Sequence, residues 1–286
     1  MDSKDRQYGR AFHAESKRLG AEIATGEVAS FGQLWGRCRQ WRVAQFDKAK
    51  ASDQLRRMDN TAGSQQSSAE TRSLFASPRL PDEAFNCTPI LGVYVQLHSQ
   101  IMAADGEISY GDKGQQTRLV QQTAELNGKI IPLTTLAAFN NEKGERYAVQ
   151  TSVVPQTKVF GLMGHTLSHH LPALKNRLEQ LFAQALSPST TGHAERLGML
   201  AEMHWLLAHA MLDHRGSAAK SELSIRSIAM AMDMELPPFR EHVAPDLIAF
   251  VTTLDEFKSR YESEYLESTQ SMADWQALPQ AEPNLS

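Results

Sequence analysis

Apolar positions recur at helical spacing along most of this chain. Phe12, Leu19 and Ile23 fall on one face of residues 3–24. Leu167, Leu171, Leu174, Leu178 and Leu181 make a stripe through residues 164–186, which Ser187, Pro188, Ser189 and Gly192 break. Leu197, Leu200, His204, Leu207 and Met211 follow at intervals of 3, 4, 3 and 4, an apolar seam with one histidine in it. Met203 and Leu206 widen that seam, so the helix is expected to be buried on more than one side, with His204 a hydrogen-bonded core histidine. Ala218, Glu222, Ile225, Ala229 and Met232 share a face of the next helix, which Pro237 and Pro238 end. Leu247, Phe250, Leu254 and Phe257 resume the helical pattern.

Thr117 to Leu126 also reads as a helix, stopped near Gly128. Lys129 to Leu136 is β-branched, Asn140 to Gly144 is a turn, and Arg146 to Val154 alternates, which together predict a β-hairpin over 129–154. Ile90 to Ala103 reads as one buried helix, with Tyr94, Leu97, Ile101 and Ala104 at helical spacing and a strand running into a helix as the alternative. The acids Asp105, Glu107 and Asp112 lie in a Gly-containing loop that lacks the Gly and closing Glu of an EF-hand and reads as a solvated turn. The fold class expected is therefore mainly α: a compact helical domain with one small β-hairpin and a flexible or helical N-terminal region. Asn60 to Pro81 is rich in Ser, Gln and Ala and predicts a flexible linker. It divides an N-terminal helical segment, 1–59, from the main domain, 82–272, and residues 273–286 read as a disordered tail.

Charge changes this picture only locally. The net charge is −4, which argues against a general nucleic-acid coat. Residues 1–60 carry twelve Lys/Arg against eight Asp/Glu, a local +4. Within them Trp35, Trp41 and Phe46 alternate with Arg37, Arg39 and Arg42. That stretch is read as an amphipathic helix docking its Trp side, with phosphate or single-stranded nucleic acid as the other possibility. Cys38 and Cys87 have no metal-type spacing and make no disulfide framework. No run reaches the ~18–20 apolar residues of a membrane span, and the first residues lack the apolar core of a secretory signal. The expectation is a protein made in the cytoplasm, with export by a route that cleaves no signal peptide left open.

Chemistry concentrates where the two central helices meet. His209 lies near the end of the first, where a helix C-terminus favours an imidazolium and a cleft edge would suit an acid/base group. The turn Leu212–Gly216 holds Asp213, His214 and Arg215, and Ser217 is a good N-cap for the second helix. Arg215, Gly216 and Ser217 stand at a helix N-terminus, whose outward N–H groups attract phosphate or carboxylate. Glu222 is a carboxylate on an apolar stripe. It calls for a partner such as Arg215, His204 or His209, in a buried ion pair or a catalytic role. His165, His169 and His170 form GHTLSHH, but no HExxH is present.

The order His209-x-x-x-Asp213 followed by Arg215, at a helix–turn–helix joint with a hairpin upstream, resembles the core of Fic-type (Fido-fold) proteins. Residues 129–234 carry the resemblance, with HAMLDHRGSA in place of the family's His-Pro-Phe-x-Asp/Glu-Gly-Asn-Gly-Arg. Ala210 and Met211 replace Pro-Phe and the Gly-Asn-Gly stretch is missing, so this is a degenerate version. The resemblance implies that His209 takes a proton from a target hydroxyl and that Asp213 helps hold Mg²⁺ on nucleotide phosphates. Arg215 and the following helix start cradle those phosphates. It further implies a secreted bacterial effector that binds a nucleotide and modifies a host protein, by nucleotidyl or phosphoryl transfer to a side-chain hydroxyl. Two alternatives remain. One is a non-catalytic helical interaction effector. The other is an ADP-ribosyltransferase, suggested by Arg146, Ser189-Thr190-Thr191 and Glu262-Ser263-Glu264.

Overall fold

A computed structural model describes residues 3–45, 72–77, 98–104, 107–110, 115–145, 149–150, 158–190, 192–213, 217–241 and 243–268. The fold is mainly α. Helix α1, Ser3–Ala24, buries Phe12, Ser16, Leu19 and Ile23, one face at helical period. The chain turns at Gly26, with φ 79°, and enters α2, Phe31–Ala44. Ser30 caps α2 by accepting the Gln33 N–H. A second cap comes from far along the chain: the Glu179 carboxylate accepts the N–H groups of Phe31 at 2.7 Å and Gly32 at 2.8 Å. Helix α2 buries Phe31, Leu34, Trp35 and Cys38, as the docking reading of its Trp side predicts for Trp35.

The expected hairpin strand 129–140 is present but belongs to a larger sheet. Among the described residues six antiparallel strands form: β1 Arg72–Ser77, β2 Glu107–Tyr110, β3 Gln116–Leu126, β4 Lys129–Asn140, β5 Val149–Gln150 and β6 Lys158–Gly164. The order is β1-β6-β4-β3-β2, with β5 beside β6. Three sequence expectations change here. Residues 117–126 are a strand rather than a helix, and the hairpin turns at Asn127 and Gly128, both with positive φ, between β3 and β4. The segment after the 141–145 turn pairs through β5 with β6 rather than with β4. Part of the expected linker, Arg72–Ser77, is a sheet strand paired with β6.

Strand β6 runs to Gly164, so the next helix starts later than its Leu stripe suggested. A 3-10 turn at Ser168–His170 leads into α3, Leu171–Ala185. Leu171, Leu174, Leu178 and Leu181 are buried as expected, and Leu167, ahead of the helix, is exposed. Helix α4, His193–Ala210, is enclosed along its whole second half, every residue from Leu200 to Ala210 being buried. Helix α5, Ser217–Ala231, follows the joint. Short helices α6, Pro245–Ala249, and α7, Leu254–Arg260, close the chain with a π-turn at Tyr261–Tyr265.

Helix α4 packs against α3, α5, α6, α7 and β4. Helix α1 lies on α5, and α2 on α5 and α3. The α1–α5 approach is close: a Cβ on Gly20 would stand 2.6 Å from Met230 Cβ. The helices of the expected N-terminal segment thus share one hydrophobic core with the main body. The Pro81 boundary and the 273–286 tail lie outside the described residues.

Candidate functional site

The joint between α4 and α5 brings some of the expected residues together and adds others. Met211 ends α4 in the left-handed region, φ 39°, and turns the chain inward so that Leu212 and Asp213 are buried. Ser217 closes the joint. Its hydroxyl donates to the Asp213 carbonyl at 2.8 Å, and its Oγ accepts the Asp213 N–H at 3.3 Å. Ser217 is the first residue of α5 rather than the N-cap expected of it, and its hydroxyl bonds back to the backbone of Asp213 instead of to an N–H of the helix. His214, Arg215 and Gly216 lie outside the described residues.

The Asp213 carboxylate is the centre of a network that spans three helices. Trp35 Nε1 of α2 donates to its Oδ2 at 3.0 Å. Arg39, one turn later on α2, reaches Oδ1 through Nη2 at 2.9 Å and Oδ2 through Nε at 3.4 Å. Lys220 Nζ of α5 donates to Oδ2 and lies over the Trp35 ring, 5.3 Å from its centroid. The side chains of Asp213 and Lys220 are fully enclosed, whereas that of Arg39 retains 15 % of its exposure. Burial lowers the Lys220 pKa, and the neighbouring Asp213 carboxylate opposes that shift. Arg39 and Lys220 thus both pair with the one carboxylate of Asp213.

This placement revises the expected metal role of Asp213. A dication at its oxygens would have to displace Lys220 and Arg39, and both repel it. Among the described residues no cluster of three His, Cys, Asp or Glu residues stands ready for a metal.

His209 is not at a cleft edge. Its ring is fully buried, with Nε2 placed 3.1 Å from the Ala249 carbonyl. Trp205 and Phe250 stand edge-on at centroid distances of 4.4 and 5.4 Å. Nδ1 is enclosed without a hydrogen-bond partner. The His209 carbonyl accepts the Thr166 hydroxyl at 2.9 Å. Burial pushes the pKa down to about 3, and the Ala249 carbonyl only partly offsets it. The helix C-terminus, which favours the imidazolium, loses to desolvation here.

Glu222 sits apart from the hub. Its carboxylate pairs with Arg226 one turn on, at 2.8 Å, and is 34 % exposed. Of the expected partners, His204 and His209 make other contacts and Arg215 lies outside the described residues. Arg226 also donates to the Leu236 and Pro237 carbonyls and lies over Phe239. His204 is a satisfied core histidine, as expected, with Nδ1 2.9 Å from the Tyr261 hydroxyl and its pKa pushed down to about 3 by burial. Glu262 and Glu264 lie on the π-turn after α7 rather than on a strand, paired with His193 and Arg260. Arg146 and Thr191 lie outside the described residues.

Lys220 was missed by pattern reading, and Trp35 and Arg39 were noted only within the aromatic–basic stretch, with no link to Asp213. A signal existed for Lys220. Lys220, Ser221, Ser224 and Ser227 make a buried polar stripe on α5, and a lysine in such a stripe needs a buried carboxylate.

A helical body on an antiparallel sheet, with a buried ion-pair hub at its central joint, is the class of protein described so far. The model of the avirulence protein family AvrB_AvrC matches residues 2–268. Avirulence protein B of Pseudomonas savastanoi pv. glycinea is 30% identical over 277 residues, covering 91% of this chain and 79% of that protein. The chain belongs to the avirulence protein family, and so falls among the bacterial effectors. The resemblance to Fic-type proteins does not stand: the family that accounts for the chain almost from end to end is the avirulence family. No helix among the described residues is long and apolar enough to cross a membrane.

Proposed function

We propose that this effector acts inside a host cell, where it binds a nucleotide at the α4–α5 joint and modifies a host protein at a side-chain hydroxyl. The observation that supports the nucleotide part is a partly exposed guanidinium held at the joint: Arg39 pairs with Asp213 and keeps 15 % of its side-chain exposure, and a guanidinium so placed suits a phosphate. In such a transfer the hydroxyl oxygen attacks a phosphorus, the bond to the leaving phosphate breaks, and the hydroxyl proton passes to water or to the departing phosphate. Positioning and charge neutralisation dominate this chemistry. Any Mg²⁺ would arrive on the nucleotide phosphates, because Asp213 has no room for it. His209 contributes by fixing the end of α4 against Ala249, since both its ring nitrogens are enclosed.

The test is a thermal-shift panel of ATP, GTP, UTP, CTP and NAD, each with and without Mg²⁺. A ligand that binds only the folded chain raises the melting temperature by mass action. One nucleotide should shift it, and Arg215→Ala should weaken the shift if the helix start shares the phosphates. A flat panel at millimolar ligand would sink the nucleotide reading. It would favour an effector that acts only by binding a host protein, for which the in-chain satisfaction of Asp213 as a structural network speaks.

A further inference from the structure

The hub assigns Asp213 a different task from the one its spacing suggested. We infer that Arg39 of α2 is the group that contacts the ligand's phosphate, and that Asp213 is the positioning carboxylate that aims it. The inference rests on the nucleotide reading above and names the residue and the chemistry of contact.

A guanidinium is a planar fork with five N–H donors. Arg39 spends the edge bearing Nε on Asp213, together with one hydrogen of Nη2. That leaves Nη1 and the second Nη2 hydrogen directed away from the carboxylate, and Arg39 has no further partner for Nη1 among the described residues. Of the three charged members it alone reaches solvent. Lys220 is enclosed, with its ammonium on Asp213 and over the Trp35 ring. The open face of the network is therefore Arg39's.

The pairing fixes the side chain in advance. Asp213 grips Arg39 from α5's side and Trp35 Nε1 braces the same carboxylate from α2. Little rotamer freedom is then left for a ligand to freeze. The free edge presents two parallel donors, which match two oxygens of one phosphate group. A phosphate suits this edge because its oxygens can accept both donors while carrying more than one negative charge towards the guanidinium. Helix α2, drawn in sequence as part of a separate segment, becomes a wall of the site.

The experiment uses the full chain with inorganic pyrophosphate and the best nucleotide of the panel, followed by isothermal titration calorimetry. Arg39→Gln should lose about tenfold or more in affinity for both, the range of one charge-assisted contact, and Arg39→Lys should recover part of it. If wild type binds and a folded Arg39→Gln variant binds equally well, the inference is wrong while the nucleotide reading survives. If wild type binds neither ligand, both fall together. If Arg39→Gln does not fold, arginine side-chain NMR on wild type decides. The Arg39 guanidinium signals should move on adding pyrophosphate, and signals that stay put at saturation overturn the inference.

Discussion

Asp213 shows how much one side chain can organise when it is buried with the right neighbours. Its carboxylate accepts from an indole, a guanidinium and an ammonium, each delivered by a helix that packs for apolar reasons. Removing it strands Lys220 as an enclosed cation. Asp213→Ala should therefore cost about 3–5 kcal/mol in urea unfolding, the usual range for breaking one side of a buried pair. Lys220→Met should cost less, because Asp213 keeps Arg39 and Trp35 and the methionine stem fills the same space. The reverse order of the two losses would mean that Lys220, not Asp213, is the anchor. The sequence placed Asp213 and Ser217 at a joint between two helices, and there they are. It did not place Arg39 beside them, because that pair depends on how α2 lies on α5, a contact between residues far apart in the chain. Glu222 misled for a related reason. Its apolar-stripe position suggested burial, yet Arg226 four residues on holds it at the surface.

At the scale of elements, the helices were legible and the sheet mostly was not. In β3, Val120, Ala124 and Leu126 are buried. Burial alternates from Val120 to Leu126, but the polar Gln122 takes the half-buried position between Val120 and Ala124, so the apolar residues stand four apart in sequence and mimic a helix. The Asn127-Gly128 pair was the readable signal for a two-residue hairpin, and a helix-stop reading hid it. Gly128, with φ 71°, should resist replacement: Gly128→Ala should lose on the order of 1 kcal/mol through the left-handed backbone. An unchanged melting temperature would contradict that turn geometry. The cap of α2 is an element-scale device of another kind. Glu179 of α3 supplies charged acceptors to two free N–H groups at the α2 N-terminus. Glu179→Ala should cost about 1–2 kcal/mol. Amides in the first turn of α2 should then exchange faster with solvent while those of α4 keep their protection. Uniform loss of protection would mean that α2 and α4 unfold only together.

The whole molecule should be sensitive to acid, because burial holds His165, His204 and His209 well below the usual histidine range. Burial pushes His165 down to about 4 and His204 and His209 down to about 3. All three titrate near 6.5 once the chain unfolds. The sign follows from linkage. A lowered folded pKa means that the unfolded chain takes up protons which the folded chain refuses. Stability is then fully present above about pH 6.5 and is lost as pH falls through the window towards 4. Within that window each histidine contributes a slope of about 1 kcal/mol per pH unit. Three acting together compare with the whole stability of a typical domain, about 5–15 kcal/mol. His204 and His209 lie on α4, which touches most other elements of the fold, and His165 stands beside Phe250 against which His209 packs. Protonating any of them asks the central helix to open. Urea unfolding at pH 7, 6 and 5 should show stability falling steeply, with more than one proton taken up on unfolding. His204→Gln should lower the slope by about one proton even if it also lowers the stability at pH 7. A stability that stays level from pH 7 to pH 5 would mean that these rings are charged or solvated in the folded chain, contrary to their enclosure around α4.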